Sequence, residues 1–444
     1  MTQKYFIETF GCQMNVHDSE RLAGLLDQAG YQASPTATDA DLIVINTCSV
    51  RERAEDRLYT ELGMVPTNAK GKRPIVAVTG CVAQQEGAEL LRRGQHVDVV
   101  IGTQALTRLP DLVDELDVSR SKKIDINPYD NVSFPFNVTK RSDSVRASVT
   151  IIEGCNDFCA FCVVPYTRGH ERMRASAEIL GEVRLAASQG HREVHLLGQI
   201  VNHYAAPDRD GCDFAELLRL VHEIPGIDRI RFSSPHPRHV TKRMIAAMQE
   251  LSKVCRHLHL PVQSGSSRVL ARMRRRHTRD DYLRLVDKLR AAIPNIALST
   301  DMIVGFPGET DQDFEATMSL TRAVGYSSMF SFKYSERPNT LASTRLDDDV
   351  PATDKTQRIV ALQELQKSIQ TKLHRRRIGT EAEVLVDSVS RKRQSELAGR
   401  TSENTVVNFR AAPDFLGRLV RIKITNSGPF SLRGELLENS PATT

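Results

Sequence analysis

The chain has 444 residues, 40% of them hydrophobic and 26% charged, and this length predicts two to four domains. Its formal net charge of +5 permits an acidic partner such as nucleic acid without requiring one. The first ten residues lack a signal-peptide pattern, and no apolar run approaches the ~18 residues of a membrane span. We therefore expect a cytoplasmic protein that makes no membrane contact, in which clustered cysteines are metal ligands rather than disulfides.

Residues 1–118 alternate strand-like and helix-like segments. Three strand-like segments each lead to a cysteine: KYFIETF to Cys12, DLIVIN to Cys48 and PIVAVTG to Cys81. If these strands are parallel, the three cysteines meet at the carboxyl edge of one sheet, where doubly wound sheets bind ligands. The pattern predicts a parallel α/β domain with a three-cysteine site. The alternative is three buried, unligated thiols.

Residues 119–143 are polar and contain scattered Pro, Asn and Asp, which predicts a linker. The strand–helix alternation resumes from residue 144 to about residue 340. A charged helix is predicted after it, at 353–377. The six strand candidates are RASVTII, EVHLLG, DRIRFSS, HLHLPV, IALSTDMIVGF and SMFSFKY. This pattern predicts a partial (β/α)6 barrel of the TIM type over residues 144–377, with function on the loops at the carboxyl ends of its strands.

Residues 378–440 change to short alternating segments separated by Gly, Asn and Ser. This pattern is typical of a small antiparallel β-barrel, a fold often used on single-stranded nucleic acid. The predicted fold class is therefore α/β, with a parallel sheet domain, a partial barrel and a small β-barrel in that order.

A second cysteine triplet follows the first strand of the predicted partial barrel. Cys155, Cys159 and Cys162 form a C-x3-C-x2-C pattern with no fourth cysteine nearby. A closed zinc site takes four ligands, whereas three thiolates on a cubane iron–sulfur cluster leave one iron open. The triplet therefore favours an iron–sulfur cluster. The alternatives are a zinc site completed by His170 or His191, and a redox thiol pair.

This triplet, in its place after the first barrel strand, resembles the radical S-adenosylmethionine superfamily. The resemblance implies that the open iron binds S-adenosylmethionine, which an electron from the cluster cleaves to a 5′-deoxyadenosyl radical. It also implies contacts to this cofactor from residues on the same barrel rim. These are Phe161, Gln199, Gln263, Ser264, Gly265, Asp301 and Gly305.

With the N-terminal triplet and the C-terminal barrel, the resemblance narrows to the methylthiotransferases, whose small barrel is called the TRAM domain. It implies two [4Fe–4S] clusters, with the six cysteines as ligands and catalytic groups and the N-terminal cluster carrying or receiving sulfur. The segment Val163–Gly169, with Glu171 and Arg172 after it, is similar to one branch of this family. That branch acts on C2 of N6-isopentenyladenosine at position 37 of tRNA, beside the anticodon.

Two alternative substrates would undergo the same methylthiolation: threonylcarbamoyl-adenosine in tRNA and an aspartate of a ribosomal protein. A third alternative, of another class, is a non-catalytic RNA-binding protein that contains zinc or bare cysteines.

The resemblance further implies an electron donor such as flavodoxin or ferredoxin and a donor of sulfur or clusters, and we expect the chain to be a monomer. Basic clusters and one aromatic residue are the predicted RNA contacts, although any charge run can simply be a solvated helix face. These contacts are Tyr166, Arg168, Arg172, Arg174, Arg272, Arg274, Arg375 and Arg376. Cys212 and Cys255 lie outside both triplets and are predicted to be unligated.

Overall fold

The structure is a computed structural model that describes residues 2–49, 52–68, 71–94, 96–119, 121–128, 139–390, 393 and 395–437. Within these residues, no helix is both long enough and apolar enough to pass through a lipid bilayer.

The N-terminal region forms a six-stranded sheet. Its strands are β1 (Lys4–Phe10), β2 (Gln32–Ala33), β3 (Leu42–Thr47), β4 (Ile75–Gly80), β5 (Val99–Ile101) and β6 (Lys123–Asp125). Its helices are α1 (Gln13–Gln28), α2 (Glu52–Gly63), α3 (Cys81–Glu86), α4 (Ala88–Arg93) and α5 (Leu109–Ser119). The strands lie in the order β2-β1-β3-β4-β5-β6, and every neighbouring pair is parallel. The predicted parallel sheet is confirmed.

Strand β3 shows why this sequence folds as a central strand. Leu42 and Val44 belong to one hydrophobic core, while Ile43 and Ile45 belong to the core on the opposite face. A continuous apolar run buries both faces of a strand, as expected for a parallel sheet covered by helices on each side.

Part of the segment predicted as a linker belongs to this sheet. Strand β6 pairs with β5 through three aligned residue pairs, and the Gln84 side chain donates to the Ile126 carbonyl just after it. Such a short edge strand carries too little periodicity to be found in the sequence. Residues 129–138 of the predicted linker lie outside the described residues.

The central region is an incomplete barrel. Its six parallel strands are β7 (Arg146–Thr150), β10 (Glu193–Leu197), β11 (Arg229–Phe232), β12 (His257–His259), β13 (Ala297–Val304) and β14 (Ser328–Lys333). A small antiparallel pair, β8 (Ile152–Glu153) and β9 (Arg172–Met173), flanks the first cysteine loop. The strands form two three-stranded sheets, β11-β10-β7 and β12-β13-β14, joined by a parallel bridge between Ile230 and Val254. All six predicted strands are present, so the partial barrel is confirmed.

Helices follow these strands, and the longer ones cover the outside of the barrel, whereas α6 lies on the cysteine loop. They are α6 (Val164–Arg168), α7 (Ser176–Ser188), α8 (Phe214–His222), α9 (Lys242–Glu250), α10 (Ser267–Arg272), α11 (Arg279–Ala292), α12 (Asp311–Val324), α13 (Leu341–Arg345) and α14 (Ala352–Arg375). Thr278 and Thr310 begin α11 and α12 with capping boxes, which fix where these helices start.

The C-terminal region is a closed barrel of five strands. They are β15 (Glu381–Val389), β16 (Leu397–Thr401), β17 (Val406–Phe409), β18 (Leu419–Ser427) and β19 (Leu432–Leu436), in the order β15-β16-β17-β19-β18. Four of the five contacts are antiparallel as predicted, but β17 and β19 are parallel. This one parallel contact closes the sheet and leaves no unpaired edge.

Buried arginines hold the small barrel against the partial barrel. Arg231 pairs with Glu193 at 2.9 Å and donates to the carbonyls of Thr401 at 2.7 Å and Ser402 at 3.2 Å. Arg229 donates to the Glu383 carbonyl at 3.1 Å. The small barrel is therefore an integral neighbour of the partial barrel and not a loosely tethered module.

We expect the substitution Arg231→Met to lower the free energy of unfolding by ~3–5 kcal/mol, because it leaves the Glu193 carboxylate buried without its cation. Chemical denaturation followed by far-ultraviolet circular dichroism measures this change. Arg219→Met is the matched control, since Arg219 pairs with Glu250 at the surface and such pairs contribute ~0.2–1 kcal/mol. Equal losses in the two variants would contradict the structural role given to Arg231.

Candidate active site between two cysteine triplets

The N-terminal cysteines lie at one edge of the sheet. Phe10, Thr47 and Gly80 are aligned across β1, β3 and β4, and each cysteine follows its strand within two residues of this row. The backbone is tight here: a Cβ at position 11 would lie 2.7 Å from the Cβ of Cys48. Glycine at position 11 therefore lets the β1 loop approach Cys48 closely.

The three N-terminal thiols are in hydrogen-bonding contact. The Cys48 thiol donates to the sulfurs of Cys12 and Cys81, which lowers the pKa of each of these two thiols to about 6 and raises the pKa of Cys48. The guanidinium of Arg168 also favours the thiolates of Cys12 and Cys81. Deprotonated, soft sulfur is the donor that iron–sulfur clusters require, so these residues fit a cluster.

The second triplet lies on the loop after β7, where the backbone is held at several points. Cys155 N–H donates to the Gly169 carbonyl at 3.1 Å, and Cys162 N–H donates to the Cys159 carbonyl at 3.0 Å. Gly154 has φ +80, and a Cβ there would collide with the carbonyl of His170. A left-handed glycine is thus required at the start of this loop.

Burial raises the pKa of Cys155 to about 11 and that of Cys162 to about 12. These two thiols are protonated at neutral pH, so metal binding must displace their protons. No group of three or more His, Cys, Asp or Glu side chains in the described residues is arranged around a single metal ion. A cubane cluster makes a different demand, because each thiolate binds a separate iron.

A cavity of about 1000 Å³ opens beside the second triplet. Of the seven predicted contacts to S-adenosylmethionine, Phe161, Gln263 and Asp301 line it together with Cys162. Gln199 is not among the residues that line this cavity, but its amide oxygen is buried and has no hydrogen-bond partner in the described residues. An unsatisfied buried acceptor suits a ligand that brings N–H donors, such as the ammonium group of S-adenosylmethionine.

The other three predicted cofactor contacts lie in the protein's own packing. Ser264 is fully buried and accepts from Ser266 N–H at 3.2 Å, and Gly265 N–H donates to Thr317 at 2.9 Å. Gly305 N–H donates to Glu309 at 2.8 Å. These residues shape the rim of the barrel and do not line the cavity.

The predicted RNA contacts separate into two groups. Tyr166 is exposed, and so are four of the arginines, Arg272, Arg274, Arg375 and Arg376. The other three arginines pair with carboxylates, Arg168 with Asp18 at 2.6 Å, Arg172 with Glu153 at 3.2 Å and Arg174 with Glu182 at 2.7 Å. Arg168 is 5% exposed, so the structure places it inside the protein and not on an RNA-binding surface.

Arg168 instead links the two triplets. Helix α6 begins two residues after Cys162 and ends at Arg168, whose guanidinium hydrogen-bonds to Cys81 as well as to Asp18. Helix α3, which begins at Cys81, packs against α6. Five helical residues span roughly 7.5 Å, so a single short helix separates the two cysteine sites.

Sequence reasoning missed three features of this region. Phe330 and Phe430 are 54% and 71% exposed and line the cavity from two different domains. Gln13, next to Cys12, accepts from Ser233 beyond β11 at 3.3 Å. Gln13 could have been predicted to lie at the site, because it follows the predicted ligand Cys12 in the sequence. No sequence feature near Phe330 or Phe430 indicated that these residues line a cavity.

Comparison with known proteins agrees with this architecture. The chain matches the uncharacterized protein family UPF0004 over residues 4–102, the Radical SAM superfamily over residues 149–321 and the TRAM domain over residues 375–437. A radical S-adenosylmethionine methyltransferase from Kitasatospora setae, TsrM, has a similar fold at 15% identity, with a TM-score of 0.55 over 77% of this chain and 74% of its own. OxsB, a cobalamin-dependent S-adenosylmethionine radical enzyme, has a TM-score of 0.51 at 12% identity, over 82% of this chain and 56% of its own.

The matched domains are those of a radical S-adenosylmethionine protein that carries a TRAM domain. A protein of Neisseria gonorrhoeae named tRNA-2-methylthio-N(6)-dimethylallyladenosine synthase is 44% identical over 441 residues, which are 98% of this chain and 100% of the relative. A protein of the same name from Pseudoalteromonas atlantica is 46% identical over 442 residues, 98% of this chain and 92% of the relative. The chain belongs to the family of tRNA-2-methylthio-N(6)-dimethylallyladenosine synthases.

Proposed function

We propose that this enzyme adds a methylthio group to C2 of N6-isopentenyladenosine at position 37 of tRNA, using two [4Fe–4S] clusters and S-adenosylmethionine. The observation that carries this proposal is the meeting of two three-cysteine sites across α3 and α6, beside a cavity large enough for a nucleoside. One site would hold the cluster that cleaves the cofactor, and the other would hold the cluster that supplies sulfur.

When bound, the cluster at the second triplet and S-adenosylmethionine would supply the reductive cleavage whose radical product activates a C–H bond. Cys155, Cys159 and Cys162 would hold that cluster. Phe161, Gln263 and Asp301 line the space beside it and would orient the cofactor. The protein's share of the work is to place the reacting carbon and to exclude water from the cavity.

One part of the cavity wall is apolar and suits a prenylated base. Ile303, Met329 and Ile359 line it together with Phe330, and an isopentenyl group would bury apolar surface against them. Each buried methylene contributes about 0.8 kcal/mol. A threonylcarbamoyl group would bring a carboxylate instead, which Lys333, Arg337 and Lys367 of the same lining are suited to bind. The names of the relatives therefore decide for the prenylated base.

Several further parts of the proposal concern partners. The enzyme needs a one-electron donor, such as flavodoxin or ferredoxin, and a donor of sulfur or clusters. We also propose that it acts in the cytoplasm, since tRNA is part of the name of its relatives. Its proposed oligomeric state is a monomer.

Phe430 gives a sharp test of RNA binding, because it lies on the TRAM barrel and faces the cavity. We expect the substitution Phe430→Ala to raise the dissociation constant for tRNA at least about tenfold, since stacking a base on an aromatic ring contributes ~1–3 kcal/mol. Fluorescence anisotropy with labelled tRNA measures this. Phe430 is 71% exposed, so its truncation removes no core packing. Deleting the whole barrel would also remove the partners of Arg231 and is a less specific test.

Two variants control this experiment. Phe430→Trp keeps an aromatic face and should bind tRNA like the unaltered protein. Val389→Ala removes another exposed apolar side chain of the same barrel, 50% exposed and outside the cavity lining, and should leave affinity unchanged. If Phe430→Ala binds as tightly as these two controls, the base does not stack on Phe430.

The reaction itself is tested by anaerobic incubation with tRNA, S-adenosylmethionine and a reductant, followed by mass spectrometry of the nucleosides. We expect the 2-methylthio derivative of N6-isopentenyladenosine. Product on threonylcarbamoyl-adenosine, or none on tRNA and some on a ribosomal protein, would replace the proposed substrate with one of the alternatives.

A further inference from the structure

One buried arginine at the second triplet is used by none of the steps above. Arg275 is 6% exposed, and its Nη1 donates to Sγ of Cys159 at 3.4 Å. Its Nη2 donates to the Pro261 carbonyl at 2.8 Å, and its Nε is buried without a partner in the described residues. The guanidinium thus lies directly against one of the three cysteine sulfurs.

The charge of Arg275 has no carboxylate partner in the described part of the chain. Among the described residues none forms an ion pair with it, whereas Arg168 at the N-terminal triplet pairs with Asp18 at 2.6 Å. Two neighbouring histidines do not add to this charge: burial, followed by the charge of Arg275, lowers the pKa of His236 and brings that of His277 to about 4. A buried, unpaired cation is costly, so an anion is expected on the side that Arg275 faces, which is the cysteine loop.

The backbone around Arg275 is arranged to hold it there. Arg274 and Arg276 have φ values of 57 and 56, a left-handed conformation that is strained at a residue other than glycine. The carbonyl of Met273 accepts from Ala160 N–H on the cysteine loop at 2.9 Å. This strained turn points Arg275 inward and leaves Arg274 and Arg276 exposed.

We propose that Arg275 is a positioning residue that stabilises the reduced form of the cluster held by Cys155, Cys159 and Cys162 and so raises its reduction potential. Reduction adds one electron, delivered by an external one-electron donor, and no bond to Arg275 forms or breaks. The added negative charge strengthens the attraction to the guanidinium and its hydrogen bond to Cys159. Net charge and hydrogen bonds to sulfur are known determinants of cluster potentials. The proposal rests on the proposed function, which places a cluster at this triplet.

The test measures the potential of this one cluster. In a background of Cys12→Ala, Cys48→Ala and Cys81→Ala, the reconstituted full-length protein holds a single cluster, which is poised with mediators and dithionite and read by electron paramagnetic resonance. We expect Arg275→Met to lower the ratio of reduced to oxidised cluster at a fixed potential at least about tenfold, which is a midpoint shift of ~59 mV for one electron. Arg275→Lys keeps the positive charge, so its midpoint potential should lie between those of the parent and of Arg275→Met.

Arg276→Met is the matched control, because it removes an exposed arginine from the same turn and should not shift the potential. An unchanged potential in a fully loaded Arg275→Met protein would overturn the proposal. If the parent with Arg275 intact binds no iron at the second triplet, the proposed function fails instead.

If the Arg275 variants bind no iron, the thermal stability of the metal-free proteins tests the proposal instead. Removing an unbalanced buried charge should leave metal-free Arg275→Met at least as resistant to heat as its parent. A lower melting temperature would assign Arg275 a structural role and would also overturn the proposal.

Discussion

The substitution Cys159→Ala is expected to reduce the formation of 5′-deoxyadenosine at least about a thousandfold, a change of ~4 kcal/mol in the activation barrier. The cluster would lose one of its three thiolates, and Arg275 would lose its hydrogen-bond acceptor in the same step. Anaerobic incubation with dithionite and S-adenosylmethionine, with the product separated by chromatography, measures the effect. Iron content on the same sample shows whether the cluster was lost or only altered.

Cys255→Ala is the control for this experiment. Cys255 is 4% exposed, lies just before β12 and belongs to neither triplet. Its substitution creates a comparable small gap in the packing and should leave cofactor cleavage and iron content intact. Normal cleavage by reconstituted Cys159→Ala protein would show that this triplet does not hold the catalytic cluster.

The shared sheet edge of the N-terminal cysteines was predictable because it depends on local patterns. Apolar runs marked β1, β3 and β4, and the spacing of one strand–helix unit between cysteines implied parallel neighbours. The aligned row of Phe10, Thr47 and Gly80 is the structural counterpart of that inference. The same reasoning identified all six strands of the partial barrel and the presence of a small β-barrel after it.

Residue roles that depend on distant partners were not predictable. The sequence predicted that Arg168 contacts RNA. The carboxylate with which Arg168 forms a buried ion pair belongs to Asp18, which lies 150 residues earlier in the chain. Phe430 sits in a segment, SGPFSLRG, whose composition is that of an ordinary turn, and its place at the cavity mouth depends on how two domains pack. Nothing in the RMRRRHTR run distinguishes the one buried arginine, Arg275, from its exposed neighbours.

A second large effect is expected when Cys12, Cys48 and Cys81 are all replaced by alanine: the methylthiolated nucleoside should disappear while reductive cleavage of S-adenosylmethionine persists. The sheet edge would no longer hold a cluster, so sulfur could not be delivered across α3 and α6. Bound iron should fall by about half, because each proposed [4Fe–4S] cluster contains the same number of irons. Nucleoside mass spectrometry, 5′-deoxyadenosine and iron are measured on one preparation.

This triple substitution separates the two sites because their neighbours differ. The second triplet is held by its own loop bonds, Cys155 to Gly169 and Cys162 to Cys159, which do not involve the N-terminal cysteines. Arg168 would keep its 2.6 Å pair with Asp18 after the thiols are gone, so its charge stays balanced and α6 stays attached to the N-terminal domain.

The double variant Cys212→Ala and Cys255→Ala is the control for removing buried thiols, and it should retain full methylthiolation. A triple variant that still methylthiolates tRNA at the normal rate would refute the sulfur-supplying role of the N-terminal site. Loss of cofactor cleavage together with product would mean that the two sites form one structural unit, since damage at the sheet edge would then have passed through α6 to the second triplet.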